Sequence, residues 1–434
     1  MVRTQRRTLG IPFGAQVASG MVIGVLLGLI AREWATPQTP GPLAETLRIT
    51  GESFVQLLKA LVAPLVLSAI VASIAALRSL ANAGRLVRAT LLWFAITALI
   101  AVVIGIVLGI VIEPGLHADV DRAAAVRPDT AGSWVDFLRG LIPGNVFGLS
   151  ASTTIKDGIP RTGLSFNVLQ VIVVAVAVGA AAVRVGDAAA AFLTFNAAVL
   201  AIFRRLLGWV VGLTPIGSAA LLGNAVVHYG WQSLSTLAVF AGTIYLGLAL
   251  VLFGVYPILL AANGISPRRF FAGAWPAIQL GFVSRSSVAT LPVTEQAAER
   301  LGIPSAYAAF AVPLAATTKM DGCAAIYPAI ATIFVSQYFG IALHPVDYLL
   351  IVFVSVIGSA ATAGLTGALV MLTLTLSTLG LPLEGAGLLL AIDPILDMGR
   401  TAVNVAGQIL VSMIVSRREG LLTEIPTIRQ SEFA

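Results

Sequence analysis

The last apolar stretch of the chain, AIDPILDMGRTAVNVAGQILVSMIV, carries Asp393, Asp397, Arg400, Thr401, Asn404 and Gln408 at offsets 0, 4, 7, 8, 11 and 15. At 3.6 residues per turn these offsets fall on one stripe of a helix, and the remaining positions are mostly apolar. An ionised side chain at bilayer depth costs at least ~2.5–3.5 kcal/mol, so such groups normally face a protein-lined cavity and mark a site. A bare Asp397/Arg400 pair pinning two helices would account for the charges, but not for Thr401, Asn404 and Gln408 continuing the stripe. A second group, Thr317, Thr318, Lys319, Met320, Asp321, Gly322 and Cys323, interrupts the otherwise apolar segment 303–343. Its glycine beside polar residues predicts locally unwound helix. Lys319 is one of three lysines against 23 arginines. It puts a compact, titratable ammonium in mid-membrane, flanked by apolar sequence too long for the side chain to snorkel to an interface.

Composition sets the elements that must position these residues. Of 434 residues, 58% are hydrophobic and 11% charged, and the mean hydropathy is +0.96. Soluble proteins carry roughly 25% charged residues, so this chain cannot cover itself with a water-compatible surface. It reads as a polytopic membrane protein with about eight to ten crossings or partial crossings of roughly 20 residues each. The net charge of +6 follows from where topology puts arginines and does not call for nucleic acid. Cys323 is the only cysteine, which excludes an intramolecular disulfide and a cysteine metal cluster. The first apolar run is too long for a signal-peptide core and reads as the first anchored helix.

Charge-free runs at residues 13–31, 60–77, 89–112, 164–183, 206–226 and 233–263 are long enough to be spanning helices. Arg3, Arg6 and Arg7 precede the first; Arg78, Arg85 and Arg88 follow the second; Arg268 and Arg269 follow the sixth; Arg417 and Arg418 close the last helix. The loop after the third run instead carries Glu113, Asp119, Asp121 and Asp129, so the positive-inside rule expects both termini in the cytoplasm. Residues 275–300, WPAIQLGFVSRSSVATLPVTEQAAER, read differently: a short apolar arm, a Ser/Arg turn, then a second short arm. Residues 349–379 carry no charge, yet their middle is GSAATAGLTG. No arm spans the core alone. Gly-kinked spanning helices are the plainer reading, but paired broken segments point to re-entrant hairpins around a transport site.

Four motifs carry a resemblance that extends from about residue 13 to 418: SRSSVATLPVT (284–294), KMDGC (319–323), SAATAGLTG (359–367) and DPILDMGRTAVNVAGQ (393–408). The sequence resembles the dicarboxylate/amino acid:cation symporter family, the glutamate transporter homologues. The resemblance implies an all-α polytopic fold of eight transmembrane helices plus two re-entrant helical hairpins, working as an elevator. It implies a scaffold at 9–77 and 163–228, a transport domain at 83–113 and 233–418, and a polar connection at 114–162. It also implies a homotrimer in a bacterial or archaeal cell membrane, an amino-acid substrate, no cofactor, no metal centre and no nucleic-acid partner.

Site roles follow by match. Arg400 stands where acidic-substrate members hold the side-chain carboxylate, Asp397 where they receive the α-amino group, and Thr401 and Asn404 where that helix makes its other contacts, Asn404 with the α-carboxylate. Ser286 and Ser287 match the serines of the first hairpin tip. Ser359 to Gly364 match the gating tip of the second, with Ala363 and Gly364 on the substrate side. Cys323 replaces a threonine near the side-chain carboxylate. Asp393 and Asp321 complete the charged set. Ion coupling departs most: sodium-coupled relatives have asparagine at Lys319 and aspartate at Gln408, and tyrosine and serine at Phe94 and Ala98, with Thr97 alone retained. The charges Asp321, Asp393 and Asp397 (−3) against Arg285, Arg400 and Lys319 (+3) sum to zero. The expectation is therefore sodium-independent, proton-coupled uptake of glutamate or aspartate, with Lys319 standing in for a bound sodium beside Asp321. A backbone sodium site near Thr317, Met320, Ser359 and Thr362 stays open, as does a sodium-coupled relative for neutral amino acids, cystine or dicarboxylates. A Ser286/Ser287–Lys319 hydrolytic dyad is a remote alternative, for it leaves the Asp397/Arg400 stripe unexplained.

Overall fold

The computed structural model describes residues 13–34, 41–77, 83–118, 142–156, 159–228, 237–361, 367–390 and 392–423. Three long helices open the chain: α1 (Phe13–Trp34), α2 (Pro42–Leu77) and α3 (Ala83–Ile112). α2 begins well before its apolar run. Its charged first turns are held by Arg48, which pairs with Glu45 at 2.5 Å and Glu52 at 2.7 Å along one helix face.

The polar connection contains more structure than its prolines and glycines foretold. A 3-10 turn, Pro114–His117, follows α3, and an antiparallel ribbon pairs β1 (Leu149–Lys156) with β2 (Ile159–Phe166), Leu149 opposite Phe166 and Lys156 opposite Ile159. Ser-Thr-Thr-Ile is a β-favouring run, and the two residues between the strands are Asp157 and Gly158, a pair suited to a two-residue hairpin. The helix expected from residue 164 accordingly begins at Val168, as α4 (Val168–Val185).

After the turn Gly186–Ala189, α5 (Ala190–Gly212) and α6 (Thr214–His228) follow one another with a break at Leu213. Pro215 explains the break, because proline lacks an N–H and is favoured only in a helix's first turn. Against α6 lies α1, whose Gly20, Gly24 and Gly28 meet the backbone of Pro215, Ala219 and Gly223 with no room for a Cβ. This is the small-residue approach that packs helices in lipid. The next span, α7 (Ala238–Ala262), carries a π-helical turn at Leu250–Val255.

The two broken regions come next. α8 (Pro267–Ser284) and α9 (Ser287–Arg300) are 18 and 14 residues long, about 27 and 21 Å at 1.5 Å per residue, short of a ~30 Å core. Arg285 turns the chain with φ 53°, and Ser286 restarts it by accepting the Ala289 N–H on its hydroxyl at 3.1 Å. α10 (Ser305–Thr318) stops at Lys319, a π-helical turn covers Asp321–Ile326, and α11 (Tyr327–Phe339) continues. The unwinding expected at KMDGC is thus present at Lys319 and Met320, whose backbone is extended or irregular. α12 (Pro345–Ala361) and α13 (Gly367–Leu379) are the arms of the second short pair; the tip residues 362–366 lie outside the described residues. A short α14 (Glu384–Leu389) leads into α15 (Asp393–Arg418).

Among the described residues, seven stretches are long and apolar enough to cross a membrane, and Gln170–Gly212 contains both α4 and α5. Counting α4 apart from α5 brings the stretches of that length and composition to eight, with the short-armed pairs additional. α15 is enclosed by α8, α9, α10 and the π-helical turn, so the core of the molecule surrounds the polar stripe.

Candidate functional site

Arg400 and Lys319 are both fully buried, and their surroundings differ. Arg400 Nη2 lies 2.8 Å from Asp393 Oδ1 and 3.3 Å from Asp397 Oδ1. Its guanidinium carbon sits 4.2 Å from the centroid of the Tyr327 ring, a cation–π stacking for which Arg is the suited cation. Nε and Nη1 have no hydrogen-bond partner. The carboxylates are not sealed in: the Asp393 and Asp397 side chains are 26% and 28% exposed. Asp397 also lies within electrostatic reach of Arg285 at the α8–α9 tip. A buried guanidinium with two idle donors, beside carboxylates that meet solvent, is an unfinished ionic site suited to an incoming anion.

The helix break supplies the other wall. Asn404 Oδ1 accepts the Gly322 N–H at 2.8 Å and the Cys323 N–H at 3.4 Å, and Asn404 Nδ2 reaches Cys323 Sγ at 3.1 Å. One amide thus satisfies the start of the π-helical turn, whose N–H groups would otherwise be orphaned. A side chain at Gly322 would collide with the Arg400 backbone, so glycine is what lets the unwound turn lie against α15. Cys323 Sγ stands 3.8 Å from Asp397 Oδ1, and Thr401 Oγ1 approaches the same oxygen at 3.5 Å.

Lys319 is finished by comparison. Its Nζ lies 2.6 Å from Asp321 Oδ2 and donates to Tyr256 Oη at 3.3 Å. The Tyr256 hydroxyl in turn donates to Asp321 Oδ2 at 2.8 Å. All three side chains are buried to within 1%.

The structure brings together Arg400, Asp397, Asp393, Thr401, Asn404 and Cys323 in one cluster, and Lys319 with Asp321 in another. Ser286 is committed to capping α9, and Ser287 is buried in that helix's first turn. Thr97 is buried in α3 with its hydroxyl returned to Trp93 O and Phe94 O at 3.1 and 3.2 Å. Thr317 likewise donates to Leu314 O at 2.9 Å, and the Met320 carbonyl accepts the Ala324 N–H at 2.7 Å. The Gln408 amide is buried with neither polar atom partnered. Ser359 belongs to the last turns of α12, while Thr362, Ala363 and Gly364 lie outside the described residues. Sequence reasoning missed Tyr256 and Tyr327. Each directly precedes a proline, unlike the other tyrosines of its apolar run, a weak signal that was there to be seen.

A helical membrane protein with a re-entrant, capped hairpin, an unwound helix and an incomplete ionic site buried among them is built to carry a polar solute. It belongs with transporters rather than enzymes. The model of the sodium:dicarboxylate symporter family matches residues 13–418, and the chain is a member of that family. Its relatives include the proton/sodium-glutamate symport protein of Bacillus subtilis (strain 168), 29% identical over 425 residues covering 95% of this chain and 94% of the relative. The L-cystine uptake protein TcyP of Shouchella clausii (strain KSM-K16) is 30% identical over 431 residues, 95% and 90%. C4-dicarboxylate transport protein 2 of Mesorhizobium japonicum is 28% identical over 437 residues, 98% and 93%.

Proposed function

We propose that this protein takes up an acidic amino acid, glutamate or aspartate, without sodium at the position held by Lys319, and that protons drive the uptake. The observation that carries the reading is the buried 2.6 Å Lys319–Asp321 pair: an ammonium already neutralises the carboxylate, and a cation within bonding reach of it would be repelled. With Arg285 and Arg400 facing Asp393 and Asp397, the six charges balance before any ion binds. Glutamate then brings a net −1, and carrying it inward costs ~2.3 kcal/mol per 100 mV unless a positive charge travels with it. A co-transported proton supplies that charge.

The idle Nε and Nη1 of Arg400 receive the side-chain carboxylate of the substrate. Asp397 receives its α-ammonium, assisted by Thr401. Asn404, Cys323 and the tip residues Ser286, Ser287, Ala363 and Gly364 enclose the rest. Thr97, Asp393 and Gln408 line the ion-coupling region, and a backbone sodium site at Thr317, Met320, Ser359 and Thr362 stays part of the test. Residues 83–113 and 233–418 move as a transport domain past a scaffold of 9–77 and 163–228, in a trimer with both termini in the cytoplasm.

Asp397 favours an amino acid over a C4-dicarboxylate, because a dicarboxylate has no ammonium to meet that carboxylate. Purified protein in liposomes should take up labelled glutamate or aspartate in sodium-free buffer, faster with the outside acidified, and succinate and cystine should compete weakly. Strict dependence on sodium would refute the standing-cation reading. Preference for succinate would refute the role given to Asp397.

A further inference from the structure

We propose that Tyr256 and Gly407 form a socket shaped for one primary ammonium group, and that they are the positioning residues that fix the charge of Lys319. The inference rests on reading Lys319 as a standing cation, but it concerns residues that reading does not use. Three elements build the socket. α7 contributes the Tyr256 hydroxyl, which accepts from Nζ at 3.3 Å and donates to Asp321 Oδ2 at 2.8 Å, with the ring centroid 5.3 Å from Nζ. The unwound turn contributes Asp321 Oδ2 at 2.6 Å from Nζ. α15 contributes an absence: a Cβ on Gly407 would run into both Lys319 Nζ and Tyr256 Oη. The end of a lysine side chain is ordinarily free to step aside, but here it is buried on every side, and stepping aside would break an ion pair in a medium of low dielectric.

The hydroxyl's two roles are linked. Tyr256 has one proton to donate, and giving it to Asp321 leaves its lone pairs for the ammonium. Asp321 Oδ2 thus takes both bonds, while Oδ1 has none. The cluster holds the ammonium by two oxygens, and on the α15 side only the missing Cβ of Gly407 makes room for it.

Truncation should empty the socket for a soluble ligand of the same chemistry. Lys319→Ala should lose uptake, and methylammonium should restore part of it and raise the Tm of the purified full-length variant. Tetramethylammonium, which has no N–H to donate, should do neither. In the double variant Lys319→Ala with Gly407→Ala, methylammonium should have no effect on either readout. Adding Tyr256→Phe to Lys319→Ala should weaken the rescue about tenfold in the methylammonium concentration required. If Lys319→Ala does not fold, Lys319→Met, which lacks the terminal atom, carries the test as a double-mutant cycle. Gly407→Ala should then lower the Tm of the native chain at least twice as much as that of Lys319→Met. Equal methylammonium effects with and without Gly407→Ala, or equal Tm losses in the cycle, would overturn the socket. Sodium-driven uptake by the native chain would instead overturn the proposed coupling and leave the socket standing.

Discussion

The two fully buried cations among the described residues sit on adjoining elements, yet one is closed and the other open. Lys319 meets a carboxylate and a phenol that are themselves fully buried. Arg400 shares one nitrogen between two partly exposed carboxylates and leaves two nitrogens unused. A buried charge tolerates incompleteness only at a cost, because each unmet donor forgoes a bond it had in water. Lys319 is matched by a carboxylate sealed away from solvent, whereas Arg400, with two nitrogens unmet beside carboxylates that solvent reaches, is the charge that waits for a partner.

Breaking the open site should produce the largest change. Arg400→Cys removes the fork and leaves Asp393 and Asp397 uncompensated, so binding of aspartate should weaken about a hundredfold or more, with preference shifting to neutral amino acids. Calorimetry across an amino-acid panel checks this, and unchanged aspartate affinity would exclude Arg400 as its carboxylate partner. Opening the closed site comes second. Lys319→Asn together with Gln408→Asp replaces a fixed cation by oxygen ligands, and uptake should become about tenfold stimulated by sodium. No response in a folded variant would mean that the charge balance is not what governs coupling.

The link between the two sites is smaller. Asn404→Ala orphans the Gly322 N–H, a loss of ~1–3 kcal/mol, visible as a lower Tm with the substrate's weakest binding at the α-carboxylate end. Smallest is Arg204, which is 36% exposed and reaches Glu295 at 3.0 Å and Glu299 at 2.9 Å from α5 to α9. Arg204→Gln should lower stability by ~1–2 kcal/mol: the Glu299 arm is partly exposed and contributes little, but Glu295 is buried and loses its ionic partner. A larger loss would put this pair on a level with the buried ones.

Much of the open site was legible in the sequence because its residues share one helix. Asp393, Asp397, Arg400, Thr401 and Asn404 announce themselves by spacing, and Ser286 by its place between two arms too short to cross. The closed site was legible by half. Lys319 and Asp321 lie two residues apart, but Tyr256 arrives from 63 residues earlier, and no periodicity links a phenol to a distant break. Gly407 was silent for a different reason: a glycine in an apolar helix looks like any small residue until the neighbour that fills its missing Cβ is known. The ribbon between α3 and α4 was obscured because two short strands among polar residues leave no apolar period to follow.

The enclosure of α15 has a consequence for how the bilayer bears on this chain. α3 is among the most apolar helices and turns much of its surface outward, whereas α15 is covered by protein along its length. A charge placed on the outer face of α3 would have to dissolve in hydrocarbon. The Arg400 charge of α15 never meets the lipid, since its surroundings are the protein itself. Its fitness to span a membrane is thus a property of its neighbours, and a helix too polar to be stable alone in lipid is free to specialise in chemistry.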